Sequence, residues 1–92
     1  MLLIMYDISN TKTQNSLRKY LKKYGTALQY SVYEIHGEIS LLKSIIHNIT
    51  TKYSLELANN DTIVILPITK SVLNKTIFVG NGNYDDSSYM VI

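Results

Sequence analysis

The fold is decided at the start of the chain, which reads Leu2-Leu-Ile-Met-Tyr-Asp-Ile8. Short apolar runs of large and branched side chains are typical of strands that are buried on both faces. Side chains alternate along a strand, so Asp7 shares one face with Leu3 and Met5. A charge at the end of such a strand costs free energy unless another group pairs with it. Asp7 is therefore the first candidate for chemistry.

The composition limits the classes of protein to which the chain can belong. Its 92 residues predict one domain, and 46% apolar with 17% charged residues indicate a globular protein. The absence of cysteine excludes disulfides, thiolate metal sites and cysteine nucleophiles, and fits a reducing cytoplasm. The first apolar run is too short for a membrane span and lacks the basic flank of a signal peptide, so we expect no membrane partner.

A helix is predicted at residues 12–24. Thr11 and Gln14 have the spacing of a capping box at its start, and Gly25 is a typical residue after a helix end. Apolar side chains recur at i, i+3, i+4 and i+7, which makes one apolar stripe. Its members are Leu17, Tyr20, Leu21 and Tyr24.

The following segments predict three more strands and a second helix that Ser40 can cap. The strands lie at 26–29, 31–37 and 62–66, and the helix at 41–53. The order βαββαβ is the ferredoxin-like pattern, an α+β fold with an antiparallel sheet and both helices on one face. The other face would be bare, and a homodimer packing sheet to sheet is the simplest cover.

The last part of the chain extends beyond this pattern. Residues 76–80 predict a fifth strand, and residues 88–92 a short sixth strand or a tail that orders on a partner. We therefore divide the chain into a ferredoxin-like domain with its fifth strand at 1–80 and a partner-docking tail at 81–92.

A local excess of positive charge lies between Asp7 and Glu34, where the sequence has no acidic residue. A solvated lysine face is the ordinary interpretation of such a segment. The missing acids favour contact with a nucleic-acid backbone instead, without sequence preference. The basic residues of this segment are Lys12, Arg18, Lys19, Lys22 and Lys23.

Asp7 has two interpretations. One is a carboxylate that caps the next helix or pairs with a lysine, and the other is a ligand for a hard cation such as Mg²⁺. One chain offers no second acid nearby, so a magnesium site would need Asp7 of a second copy across a twofold axis. Such an ion could activate water against a phosphodiester. His36 and His47 are isolated, and the sequence contains no HExxH, GxSxG or glycine-rich phosphate loop.

Several segments together resemble the small CRISPR-associated protein 2 family. They are Tyr6-Asp-Ile8 after the apolar strand, Leu21-Lys-Lys-Tyr-Gly25, Gln29-Tyr-Ser-Val-Tyr-Glu34, and Asp61 before Ile63-Val-Ile-Leu-Pro67. The resemblance covers residues 1–68. It implies a ferredoxin-like homodimer that bridges CRISPR integrase subunits and supports a captured DNA duplex during spacer acquisition.

The resemblance also implies roles for particular residues. The C-terminal strands would cross to the partner chain and dock the integrase through Ile77, Val79, Tyr89 and Val91. Some relatives are metal-dependent nucleases on RNA or double-stranded DNA, and the aspartate that matches Asp7 is their metal ligand. Tyr6, Ser31 and Tyr33 match the supporting positions of that site.

The chain departs from those nucleases at one point. Basic residues early in the first helix assist them, and the matching positions here are Gln14 and Ser16, which are neutral. Two functions therefore stay open: a structural DNA-binding subunit, and a Mg²⁺-dependent endonuclease acting on RNA or duplex DNA with Asp7 of both chains. A toxin-type endoribonuclease and a small-molecule regulatory domain of the same fold are further alternatives.

Overall fold

The computed structural model describes residues 1–79 and 90–91. A short 3₁₀ turn at Tyr53–Glu56 follows the second helix. The helices and strands, in chain order, are β1 (Leu2–Asp7), α1 (Thr11–Lys22), β2 (Gly25–Gln29), β3 (Val32–Ile35), α2 (Ile39–Thr51), β4 (Thr62–Pro67), α3 (Lys70–Asn74), β5 (Ile77–Phe78) and β6 (Met90–Val91).

Four strands form the main sheet, in the order β2-β3-β1-β4. All neighbours in this sheet are antiparallel, and β1 lies inside it, where Ile4 pairs with Tyr33 on one side and Ile65 on the other. With α1 and α2 in their places in the chain, this is the ferredoxin-like βαββαβ arrangement. The predicted α+β fold class is confirmed.

The main core lies between the sheet and the two long helices. Ile4 of β1, Leu17 of α1 and Ile45 of α2 are fully buried together in it. Burying an aliphatic side chain of this size contributes about 1.5–3 kcal/mol. The remaining buried members of this cluster are Leu2, Tyr6, Ile8, Leu21, Tyr33, Ile35, Ile49 and Tyr53.

The opposite face of the sheet is covered only in part. Leu3 and Met5 are half-buried there, whereas Val64 and Leu66 of β4 are 48% and 44% exposed. Asp7, at the end of the same face, is exposed. The prediction that β1 is buried on both faces is therefore wrong at its last residue, and the desolvation argument for a partner of Asp7 does not hold.

Helix α3 was not predicted, and it covers part of this second face. The Thr69 hydroxyl caps its start by accepting a hydrogen bond of 3.2 Å from the Val72 amide. Leu73 is buried against Leu28 of β2, and Leu3 packs against this pair. A five-residue helix carries too little apolar periodicity to be recognised in a sequence.

The local signals at the helix ends were also misread. Asn10, not Thr11, caps α1, because its side chain accepts a hydrogen bond from the Thr13 amide. The side-chain amide of Gln14 donates a hydrogen bond to the Ile8 carbonyl instead of closing a capping box. Glu38 stands at the N-cap of α2 without a side-chain hydrogen bond, so the predicted Ser40 cap is wrong.

Gly25 begins β2 instead of ending α1. A Cβ on this residue would lie 2.1 Å from the Glu34 carbonyl oxygen. The glycine is therefore needed for the close approach of β2 to β3. Further along β2, a register shift between Ala27 and Gln29 marks a bulge at Leu28, which is buried in the second cluster.

The C-terminal strands lie outside the main sheet. β5 and β6 pair in parallel and form a two-stranded sheet of their own, with Ile77 opposite Met90. Short strands in both regions were predicted, although the fifth strand is limited to Ile77–Phe78. The division into a domain at 1–80 and a docking tail at 81–92 stays a prediction, as does exchange of these strands in a dimer.

Candidate nucleic-acid interface

Asp7 lies at the end of β1, beside a small cleft at the edge of the sheet. The exposed carboxylate follows the buried Tyr6, and the residue pairs with Thr62 of β4. The cleft has a volume of about 160 Å³. It is lined by Tyr6, Asp7, Ile8, Gln14, Tyr30 and Ser31.

The structure separates Asp7 from Glu34, one of the acids that could have completed a metal site. Glu34 pairs with Leu3, which is four residues from Asp7 along β1, or about 13 Å at the usual rise of a strand. Within residues 1–79 and 90–91, no group of three or more histidine or acidic side chains could hold a metal ion. Since Mg²⁺ requires several oxygen ligands, the residues of one chain do not fit it alone. A site shared with a second copy stays a prediction.

Asp61, and not Asp7, is the carboxylate that fixes the loops at this end of the sheet. Its two carboxylate oxygens accept hydrogen bonds of 2.9 Å from the backbone amides of Ala58 and Ser9. These hydrogen bonds, that from Ala58 foremost, lower the pKa of Asp61. Asp61 thus ties the loop after β1 to the start of β4. Asp7, by contrast, forms no salt bridge with the residues that the structure describes.

A cluster of aromatic side chains surrounds a guanidinium group beside the Asp7 cleft. The Arg18 guanidinium lies 4.0 Å from the centre of the Tyr30 ring. The Tyr6 hydroxyl donates a 3.2 Å hydrogen bond to the Tyr30 carbonyl, and the Tyr6 ring stacks on Tyr33 at 6.4 Å. The neighbouring Tyr6 hydroxyl raises the pKa of Arg18, although the buried Nε and Nη2 atoms have no hydrogen bond of good geometry.

The five basic residues of the first helix region do not form one surface. Arg18 lies one turn after Gln14 on α1. The Arg18 side chain reaches Tyr30 in the β2–β3 hairpin, and the Gln14 side chain reaches the end of β1. The lysines are exposed, and no acid among the described residues forms a salt bridge with them. By helical spacing, Lys12, Lys19 and Lys23 form one row on the side away from the buried Leu17, with Lys22 beside it.

Two features were missed in the sequence. Tyr30 was quoted only within the family motif, yet it is 69% exposed and contacts Arg18. The spacing of Arg18 and Tyr30 in the sequence does not indicate this contact, because the contact depends on how the β2–β3 hairpin folds back onto α1. His36 was thought isolated, but its Nε2 lies 3.3 Å from the Glu34 carboxylate. Glu34 is buried on the second sheet face, and its Oε2 has no hydrogen bond to the residues that the structure describes.

The remaining predicted residues occupy separate places. Ser31 lies in the tight turn between β2 and β3, and its carbonyl accepts a 3.1 Å hydrogen bond from the Tyr6 amide. Ile77 and Val79 are exposed, and Val91 lies in β6. Tyr89 lies outside the described residues. The docking role of these last four residues is untested.

Comparison with known families identifies the chain. The family model described as CRISPR associated protein Cas2 matches residues 1–76. The chain belongs to the Cas2 family. It therefore has a CRISPR-associated role, and the family resemblance found in the sequence is confirmed. No curated protein matches the chain.

Solved structures give the same result for the fold. A Cas2 from Streptococcus pyogenes, crystallised at pH 6.5, matches with a TM-score of 0.58 and 25% identity over 75% of this chain and 86% of that one. The hypothetical protein TT1823 from Thermus thermophilus matches with a TM-score of 0.61 and 26% identity over 74% and 79% of the two chains. In the part of this Cas2 that the structure describes, no helix is long and apolar enough to cross a membrane.

Because Tyr33 is buried, we expect the free energy of unfolding to fall at alkaline pH. Burial raises its pKa to about 12, whereas tyrosine in the unfolded chain titrates near about 10. Between these two pH values the unfolded chain has lost a proton that the folded chain keeps. The free energy of unfolding should therefore fall by up to about 1.4 kcal/mol per pH unit from this one group.

Denaturant unfolding at a series of pH values between about 9 and about 11 measures this effect. We expect Tyr33→Phe to flatten the profile, while a slope from Tyr53 remains, since burial raises the pKa of that residue too. Tyr24→Phe is the control, because Tyr24 is 38% exposed. Equal slopes for the wild type and Tyr33→Phe would show that Tyr33 is not the group responsible.

Proposed function

We propose that this Cas2 is a homodimeric subunit of the spacer-acquisition complex, where it binds the backbone of a DNA duplex and bridges integrase subunits. Family membership supports the CRISPR context. The observation that carries the DNA-binding part is the lysine row of α1, Lys12, Lys19 and Lys23. It is exposed and has no acidic partner among residues 1–79.

The spacing of the row suits a polyanion. At the rise of an α-helix, Lys12 and Lys19 are separated by about 10 Å along the axis, and Lys19 and Lys23 by about 6 Å. Like charges at i,i+4 repel slightly, so this arrangement does not serve the stability of the helix. Lysines bound to phosphates release counterions, and this release favours binding to any sequence.

The second sheet face supports the homodimer. Val64 and Leu66 are about half exposed, next to the half-buried Met5. A chain of 92 residues buries only about 60–65% of its unfolded surface, so covering these side chains would stabilise it considerably. A second copy packed sheet to sheet presents the same apolar face and is our proposed cover.

Docking of the integrase subunit is the third part of the proposal. Ile77 and Val79 are exposed apolar residues at and after β5. Together with Tyr89 and Val91, they match the region that docks the integrase in the family. Exposed apolar side chains close together are typical of interaction sites.

A Mg²⁺-dependent endonuclease is the second candidate function. It is favoured by the exposure of Asp7 beside the cleft and by the absence of a salt bridge to Asp7 among the described residues. Two Asp7 carboxylates, one from each copy, would hold the ion, which when bound polarises a phosphodiester and activates water. Gln14 is neutral and cannot replace the basic residue that assists the nucleases of the family. Its side-chain amide already donates a hydrogen bond to the Ile8 carbonyl.

The duplex-binding proposal is tested by removing two charges from the lysine row. The double substitution Lys19→Ala with Lys23→Ala should weaken binding to duplex DNA of any sequence. It should also reduce the slope of log K against log salt by about 2 for each chain that contacts the duplex, since each chain loses two phosphate contacts. Binding is measured by fluorescence anisotropy at several salt concentrations.

The matched control removes two exposed lysines outside α1, Lys43→Ala with Lys70→Ala. It has the same net charge as the test variant, so a general charge effect would appear in both. An unchanged salt slope for the α1 variant, or an equal change in the control, would contradict the proposal.

The homodimer is tested by placing a charge on its proposed interface. We expect Leu66→Lys to shift the sedimentation mass from that of two chains to that of one 10.5 kDa chain, without loss of the circular dichroism of the fold. Leu55→Lys is the control, because Leu55 is exposed in the 3₁₀ turn, away from the sheet. A wild-type protein that sediments as a single chain would exclude the homodimer.

The endonuclease candidate is tested with labelled RNA and duplex DNA, with and without Mg²⁺. Wild-type protein should cleave only with Mg²⁺, and Asp7→Asn should abolish cleavage, because an amide oxygen is a much poorer ligand than a carboxylate. Equal trace cleavage by both proteins would identify a contaminant and end this candidate.

A further inference from the structure

We infer that the exposed ring of Tyr30, held on the Arg18 guanidinium beside the Asp7 cleft, is a stacking site for an unpaired nucleobase. The ligand is a single-stranded segment of nucleic acid. This inference rests on the proposed nucleic-acid-binding role and gives it a second, different contact. The lysine row would hold a backbone, whereas Tyr30 would hold a base.

The ring is exposed and fixed at the same time. Tyr30 is 69% exposed although Arg18 lies 4.0 Å from its ring centre, so one ring face is covered and the other is open to solvent. The backbone below the ring is anchored by the hydrogen bond from Tyr6 to the Tyr30 carbonyl. A ring held in this way loses little conformational entropy when a planar ligand stacks on it.

Arg18 is placed to hold the ring and not to contact solvent. Its Nε and Nη2 atoms are buried, and they have no hydrogen-bond partner among the described residues. A guanidinium stacked on an aromatic ring is attracted by the electrons of the ring face. The guanidinium lies over one face of the Tyr30 ring, and a nucleobase would stack on the open face.

Tyr24 shows that this arrangement is not shared by every surface tyrosine of the chain. Its ring packs edge-on against Tyr20, with centres 5.4 Å apart and planes at 64°. It is 38% exposed, and no arginine or lysine lies over its ring among the described residues. Tyr24 is therefore the matched control for Tyr30.

The chemistry around Tyr30 indicates an unpaired nucleotide as the ligand. Stacking on an aromatic side chain accepts any base, because every base has a π face, and the bases of a continuous duplex are already stacked on each other. Ser31 and Asp7 also line the adjacent cleft beside Tyr30. A serine hydroxyl can hydrogen-bond a sugar or a base edge.

A tryptophan reporter tests the contact directly. The chain contains no tryptophan, so the emission of Tyr30→Trp reports on this position alone. Titration with a single-stranded oligonucleotide should quench the emission, because a stacked base lies against the indole. An abasic oligonucleotide of the same length should bind through its phosphates without quenching. DNA and RNA versions of the ordinary and the abasic oligonucleotide show which sugar is preferred.

Affinities give the second measurement. Tyr30→Ala should bind single strands about 5- to 100-fold more weakly, whereas Tyr30→Phe should stay within about twofold of the wild type, because the ring alone carries stacking. Arg18→Lys keeps the charge but loses the planar group, so it should weaken single-strand binding without changing the salt slope. Tyr24→Ala should have no effect.

These measurements distinguish failure of the stacking site from failure of the duplex-binding role. Quenching by the abasic strand, quenching in Tyr24→Trp, or unchanged single-strand affinity of Tyr30→Ala would overturn the stacking site alone. Duplex affinity should be unaffected by Tyr30→Ala and lowered by the lysine double substitution. If the lysine substitution leaves duplex binding unchanged while Tyr30→Trp is quenched only by strands with bases, the duplex-binding role fails and the stacking site stands.

Discussion

The alternation of side chains along β1 is the constraint on which the other features depend. Because β1 lies inside the sheet, its pairing fixes the register of β3 and β4 and sends Ile4 and Tyr6 under the helices. The same alternation sends Met5 and Asp7 to the other face. A slip of one residue would bury the Asp7 carboxylate in the main core. The cost of burying that charge is one reason for the register that is observed.

This register also explains how two neighbouring aspartates acquire different roles. Asp61 lies just before β4, where its carboxylate reaches the amides of Ser9 and Ala58 and closes the loops at this end of the sheet. Asp7 takes no part in these contacts and remains exposed at the cleft. A carboxylate that forms no salt bridge among the described residues of its own chain is well placed to serve a ligand or a second chain.

The sequence predicted the elements of the fold well because their apolar periodicity is strong, as in the stripe of Leu17 and Leu21. It predicted the ends of elements poorly. Gly25 was taken as a helix end because its steric role depends on the Glu34 carbonyl, which is distant in sequence. The basic residues of the candidate site were predicted from the sequence, but their placement on separate surfaces was not. The separation of Arg18 from the lysines follows from the hairpin turn at Tyr30, which propensity alone does not position.

That separation changes what the basic charge of the first helix can do. A lysine is a flexible, strongly hydrated point charge, and a row of lysines suits the repeated phosphates of a backbone. An arginine that is partly buried against aromatic rings has given up much of its hydration and acts on one neighbour at a fixed distance. Arg18 and the lysine row therefore cannot contribute to nucleic-acid binding in the same way, although they share one helix. Gln14, which lines the Asp7 cleft, is neutral, and Arg18 lies one turn further along α1 against Tyr30, which lines the same cleft. The chain thus has a positive charge near its candidate site, and this charge holds an aromatic ring.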